Sequence, residues 1–116
     1  LSIGFLNFYT NVLGLQQQRE SLLANNIANA DTPGYKAMDV PFESALSAQM
    51  SDPAAAPADP QYRANATVGL DGNDVSLDAE RIEAAANGEQ MEGAATFLRQ
   101  STSDLITAMR PNPSGI

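Results

Sequence analysis

Apolar positions in the first thirty residues fall on two neighbouring helical stripes. One runs Leu1, Phe5, Phe8, Val12, Leu15, Arg19, Leu22 and Asn26, at alternating steps of four and three. The other runs Leu6, Tyr9, Leu13, Gln16, Glu20, Leu23 and Ile27. Sustained 4-3 spacing is the coiled-coil template, and two offset stripes make a face wide enough for more than one partner helix. The pattern predicts a helix from about residue 4 to about residue 29. Thr32 is pushed out of the helical region by Pro33, and Pro33-Gly34 suits the centre of a type II turn, so the helix should stop there.

The other end of the chain has the same period. Met91, Ala95, Leu98, Thr102, Leu105 and Met109 alternate four and three, flanked by Ala94, Ile106 and Ala108, with Ile82, Ala85 and Ala86 upstream. A helix begun near Ser76 or Asp78 would have a side-chain cap and acidic residues at its positive end. Asn87-Gly88 and Gly93 weaken it, each glycine costing about 1 kcal/mol against alanine, yet one helix is expected, with Gly88 the place where it could bend. Pro111 and Pro113 should end it near residue 109.

Between these helices, the proline-rich run from Met50 to Pro60 reads as a mobile linker. Tyr62, Val68, Leu70 and Val75, scattered among Asn, Asp and Gly, allow at most a short extended or hairpin piece. The expected fold class is mainly α, with long paired terminal helices around a flexible acidic middle. Its parts are residues 1–35, helix and turn; 36–75, irregular and partly disordered; 76–110, helix; and 111–116, tail.

Composition narrows the chemistry. The chain has 116 residues, no His, no Cys and no Trp, and 14 acidic against 6 basic side chains. That removes imidazole and thiol catalysis and the commonest zinc ligands. A net charge of -8 disfavours phosphate backbones as partners. Residues 1–38 are neutral overall, 39–80 carry -7 and 81–116 carry -1, so the acidity belongs to the middle. No stretch reaches the roughly 20 apolar residues of a membrane span. The opening Leu1-Ser2-Ile3-Gly4-Phe5 has no basic n-region, so any export is expected without a cleaved leader.

Few residues suggest a reaction. Asp71-Gly72-Asn73-Asp74 resembles part of a calcium loop, but Val75, Ser76 and Ile82 stand where later ligand-loop residues should be. Asp39 and Glu43 could lie one helical turn apart, yet no apolar pocket surrounds them to raise a pKa. Asn65-Ala66-Thr67 matches a glycosylation acceptor by a pattern short enough to recur by chance. No metal, cofactor or catalytic residue is therefore expected. The stripes serve either an ordinary two-helix core or an interface, and Arg19 within one needs a carboxylate partner or a route to the rim. In the interface reading, the packing residues are Phe5, Phe8, Val12, Leu15, Leu22, Met91, Leu98, Leu105 and Met109.

The densest motif runs from Leu22 to Ala37 and holds, from Asn25, the stretch Asn-Asn-Ile-Ala-Asn-Ala-Asp-Thr-Pro-Gly-Tyr-Lys-Ala. Asn26 and Asn29 share a face near a helix end, where their amides could cap local carbonyls or bond a neighbouring chain. This stretch resembles the N-terminal signature of the flagellar rod, hook and hook-associated family. Met38 to Leu46 extends the likeness towards its proximal rod members, and Gly72 to Glu80 matches the approach to their C-terminal helix. The resemblance implies a non-enzymatic axial subunit, exported uncleaved by the flagellar type III apparatus into the periplasmic rod of the basal body. Its terminal helices would pair and pack on those of neighbours, transmitting torque. The implied partners are further copies, other axial and rod proteins, the membrane-ring protein of the basal body and the export apparatus. By position, the likeness gives Asn26, Ile27, Asn29, Thr32, Pro33, Gly34 and Tyr35 an assembly role. The competing readings are another axial rod protein and a soluble helical adaptor or chaperone-like module.

Overall fold

The computed structural model describes residues 3–52, 58–63 and 68–110. Leu1, linker residues 53–57, the Asn65-Ala66-Thr67 pattern and the tail with Pro111 and Pro113 lie outside the described residues. The element order is α1 (Ile3–Ala28), β1 (Met38–Asp39), α2 (Phe42–Ser51), β2 (Gln61–Tyr62) and α3 (Leu77–Met109). The fold is mainly α. α1 and α3 lie antiparallel, because Phe5 meets Phe97 near one end and Asn26 meets Glu80 near the other. The molecule measures 73 × 27 × 16 Å.

α1 stops as expected. Tyr35 N–H donates to the Thr32 carbonyl at 3.2 Å, and Gly34 has φ 75°, as the third residue of a type II turn requires. α3 begins after Ser76, whose side chain accepts the Ala79 N–H, with Asp78 and Glu80 in its first turn. It stays helical through Gly88 and Gly93. Packing along α1 offsets the propensity cost of those glycines.

The middle is not wholly irregular, which corrects the expectation for residues 36–75. α2 occupies Phe42–Ser51, starting after Pro41 with Glu43 in its first turn. Pro41 needs no N–H at a helix start, and Glu43 opposes the positive end of the helix dipole. Val40 and Ala45 bury with Leu15 of α1, and Leu22, Phe42, Leu46 and Ala58 pack around them. The expected extended piece exists only as Gln61–Tyr62, paired antiparallel with Met38–Asp39. Both stripes of α1 are thus used within the chain. Leu15 and Leu22 face the middle segment, while Phe5, Tyr9, Arg19 and Asn26 reach residues of α3.

The C-terminal stripe sits one residue away from where its hydrophobicity placed it. Buried α3 positions are Glu80, Asn87, Ala94 and Ser101, a seven-residue repeat. Ala84, Met91, Leu98 and Leu105 lie half-buried between them, whereas Thr102 and Met109 are exposed. Small and polar side chains line the seam, so a search for large apolar residues misses half of it.

Candidate functional site

The signature turn after α1 is a bonded clasp. Asn29 Nδ2 caps the Asn25 carbonyl at 2.8 Å, and Thr32 Oγ1 donates to Asn29 Oδ1 at 3.0 Å. Asn73, buried on the opposite loop, donates from Nδ2 to the Asn29 and Thr32 carbonyls at 2.9 and 2.7 Å. Gly34 N–H donates to Asp71 O, Asp74 N–H to Tyr35 O and Lys36 Nζ to Gly72 O. Gly72 has φ 83°, and a Cβ there would stand 3.4 Å from Gly34 Cα. Two glycine turns therefore stack on each other. The Asp71-Gly72-Asn73-Asp74 run is such a turn: Asp71 Oδ1 accepts the Asn73 N–H, and Asp74 Oδ1 accepts the Ala37 N–H. No group of three or more His, Cys, Asp or Glu among the described residues could hold a metal.

Asn26 stands behind this clasp with no solvent exposure. Its amide donates to Met38 O at 2.8 Å and Glu80 Oε2 at 3.1 Å, and accepts from Met38 N–H at 3.0 Å and the Tyr35 hydroxyl at 3.1 Å. Each polar atom of the side chain has two partners inside the chain. Asn26 is thus neither a surface cap nor a residue presented to a neighbour; it joins α1 to β1 and α3. Burial, and then the charges of Glu80 and Asp74, raise the Tyr35 pKa and keep its hydroxyl available as a donor. Of the other signature residues, Ile27, Asn29 and Tyr35 are half-buried, while Thr32, Pro33 and Gly34 are exposed.

An ionic cluster adjoins Asn26, and composition had concealed it. Arg19 pairs with Asp39 at 3.0 Å and Glu83 at 2.8 Å. Arg63 pairs with Asp39 at 3.1 Å and also with Glu80. Arg19 thereby finds the carboxylate partner its place in an apolar stripe required. The hydrogen bond from Arg19 to Asp39 leads the causes that raise the Arg19 pKa. Burial alone would push the Asp39 carboxyl up, but hydrogen bonds from Arg19 and the Val40 amide, with the charge of Arg19 and a bond from Arg63, hold it below its ordinary value. Two carboxylates of the acidic middle, Asp39 and Glu80, are therefore structural anions. Asp39 lies in β1 and Glu43 in α2, so they do not form the same-helix pair considered from sequence.

Away from the clasp the helix pair is bare. No described α1 residue before Leu15 is buried, and beyond Asn87 the buried α3 residues are the small Ala94 and Ser101. Phe5, Phe8, Val12, Met91, Leu98 and Leu105 are half-buried. Phe97, Ile106 and Met109 are 44%, 49% and 74% exposed. Leu15 and Leu22 pack on the middle segment. Phe97 stacks edge-on to Phe5 at 5.7 Å and lies 4.7 Å from Tyr9, so the open end carries an aromatic cluster. None of the described helices is long and apolar enough to cross a membrane.

Known proteins are similar to this chain in sequence. Residues 6–36 match the family model described as flagella basal body rod protein. The chain is 34% identical over 127 residues to the flagellar basal body rod protein FlgB of Escherichia coli (strain K12), covering 90% of this chain and 92% of that protein. It is 33% identical to FlgB of Salmonella typhimurium over 90% of this chain and 92% of that protein. For FlgB of Cereibacter sphaeroides (strain ATCC 17023) the identity is 32%, over 90% and 93%. An adaptor or chaperone-like module is not favoured by these likenesses. The chain belongs to the FlgB family of flagellar basal body rod proteins.

Proposed function

We propose that the chain is a structural, non-catalytic subunit of the flagellar rod whose bare helix-pair end is its assembly surface. The observation that carries this reading is the unfinished core there, where Phe5, Phe8, Val12, Leu98, Leu105, Ile106 and Met109 remain partly or largely exposed. Burying apolar surface yields about 25 cal/mol per Å², so equivalent helices of neighbouring subunits are the natural cover. Close-packed side chains resist shear, which suits torque transmission. The clasped end, with Asn26, Asp39 and Glu80 satisfied internally, holds the hairpin in register so that the bare end is presented in one geometry.

In this reading the rod lies in the periplasm and is reached through the flagellar type III apparatus, and its partners are other axial proteins and the membrane-ring protein. An epitope-tagged copy expressed in a strain deleted for the chain tests this. Restored motility, with the tag in purified basal bodies, is expected; a tag that stays in the cytosol while the strain swims would refute it.

A further inference from the structure

Residues 58–63 cross the clasp end of the helix pair as a strap that buries almost nothing. Asp59, Pro60, Gln61 and Tyr62 are exposed, Tyr62 at 69%, and Ala58 is the one apolar side chain of the run packed on the core cluster. Its backbone forms a two-residue ladder, Met38 opposite Tyr62 and Asp39 opposite Gln61. Arg63 N–H also donates to Ala37 O at 3.2 Å, and Ala58 O accepts from Gln18 Nε2 at 2.6 Å. A two-stranded ladder this short does not hold in water by itself. A shallow hollow of about 170 Å³, lined by Asp39, Val40, Pro41, Gln61, Tyr62 and Arg63, leaves the junction loosely packed.

What fastens the strap is therefore Arg63. Its side chain is 24% exposed, against the open side chains before it, and its guanidinium spans carboxylates from two elements, Asp39 of β1 at 3.1 Å and Glu80 of α3. A planar fork can bond two such groups at once, which a single ammonium cannot do with the same geometry. When the strap lifts, Asp39 keeps Arg19, Glu80 keeps the Asn26 amide, and water takes the place of the guanidinium. Opening then costs an ion-pair bridge and one small apolar contact, whereas separating α1 from α3 costs the whole seam. Segments with few buried apolar contacts open locally, ahead of the fold that carries them.

We infer that residues 58–63 open and close on the helix pair as a unit of their own, with Arg63 as the latch and Asp39 and Glu80 as its seat. Closing covers the bond between Asn26 and Glu80 and completes the clasp end. Opening leaves α1 and α3 paired. The device belongs to the single chain and stands apart from the rod reading.

The latch is also a protease handle. Arg63 is the only lysine or arginine between Lys36 and Arg81, and trypsin must draw its side chain into the enzyme's own pocket, so a cut after Arg63 reports the latch released. Digestion of the purified chain under native conditions should cut after Arg63 well before Arg19 or Arg81. Urea below the unfolding transition should hardly change that rate, whereas the cuts after Arg19 and Arg81 should rise with global unfolding. Arg63→Lys keeps the charge and the cleavage site but loses the fork. Referred to an unstructured peptide of the same sequence, it should be cut there about threefold faster or more, with an unchanged circular dichroism spectrum. Glu80→Gln, which removes half of the seat, should speed the same cut. If the cut after Arg63 followed urea in step with that after Arg19, the strap would lift only with the whole fold and the inference would be overturned. Unchanged rates in both variants would equally overturn it, since Arg63 would not be the latch.

Discussion

Asn26 Nδ2 donates to Glu80 Oε2 at 3.1 Å between two side chains with no solvent exposure, across 54 residues of sequence. The end of α1, the start of α3 and the first residue of β1 meet at this bond. The seam needs a donor here, because Glu80 is already a carboxylate. Asn26→Asp is nearly isosteric but turns that donor into a second anion. It should cost about 3 kcal/mol or more, against about 2 kcal/mol for Asn26→Ala, because like charges that share a buried site repel. Urea denaturation followed by circular dichroism at pH 7 checks the order; an Asp variant as stable as the Ala variant would disprove a donor requirement.

Asp39 makes the fold acid-sensitive. Burial pushes its carboxyl up, but Arg19, the Val40 amide and Arg63 together hold the folded pKa below the ordinary carboxylate value. A depressed carboxylate stabilises fully above its unfolded pKa, and that contribution is lost as pH falls through the folded value. Stability should therefore hold from neutral pH down to about 4 and decline below it. Asp39→Asn should lower stability at pH 7 by about 2 kcal/mol and flatten the acid limb, as seen in melting temperatures from pH 7 to pH 2.

The stacked turns predict a graded response to side chains. Gly34, at φ 75°, sits in the left-handed region, which costs an alanine about 1–2 kcal/mol. Asparagine tolerates that region better, so Gly34→Asn should cost less than Gly34→Ala. Gly72→Ala adds both strain, at φ 83°, and a methyl 3.4 Å from Gly34 Cα. The double alanine variant should depart from the sum of the single ones, which a double-mutant cycle by chemical denaturation would measure.

Burial divides the helix pair into a firm end and a loose one. Amides of residues 16–28 and 77–90 lie beside the clasp and the ionic cluster, whereas 4–14 and 95–109 lie beyond both, with no fully buried residue in 4–14 and only the end of α2 at Met50 beside Asn11. Hydrogen exchange on the purified chain should protect the first set and leave the second fast. Uniform protection along both helices would mean that the bare end needs no partner to be stable.

Much of this plan was legible in the sequence because it depends on local chemistry. Thr32-Pro33-Gly34 dictates a stop and a turn, Ser76 marks a start, and 4-3 spacing announces two long helices. α2 was missed because its signal, Pro41 followed by Phe42, Ala45 and Leu46, spans only one turn inside a run that averages as acidic and irregular. The seam was misplaced by one residue because Glu80, Asn87, Ala94 and Ser101 are chosen for pairing and close approach, which hydrophobicity does not register. Asn26 and Asn73 were visible as amides near turns, but their partners lie 54 and 44 residues away. No local pattern encodes such pairings. Asp39, Glu80 and Arg63 were hidden for the same reason, since net charge counts ions without saying which of them meet.

The bare end supplies the last test. Ile106 and Met109 are exposed on the final turns of α3, so aspartate there removes apolar surface without leaving a hole in the chain's own core. Ile106→Asp and Met109→Asp should leave the circular dichroism spectrum and melting of the purified chain within about 0.5 kcal/mol of wild type, as surface changes do. Incorporation into basal bodies should nevertheless fall at least tenfold, since a carboxylate stripped of water in a subunit interface costs several kcal/mol. Leu98→Asp and Leu105→Asp, at half-buried seam positions, should lose both stability and incorporation. The exposed pair therefore separates an assembly surface from a merely unfinished one. If all four variants assembled normally and the strains swam, the open end of the helix pair would not be where neighbouring subunits pack.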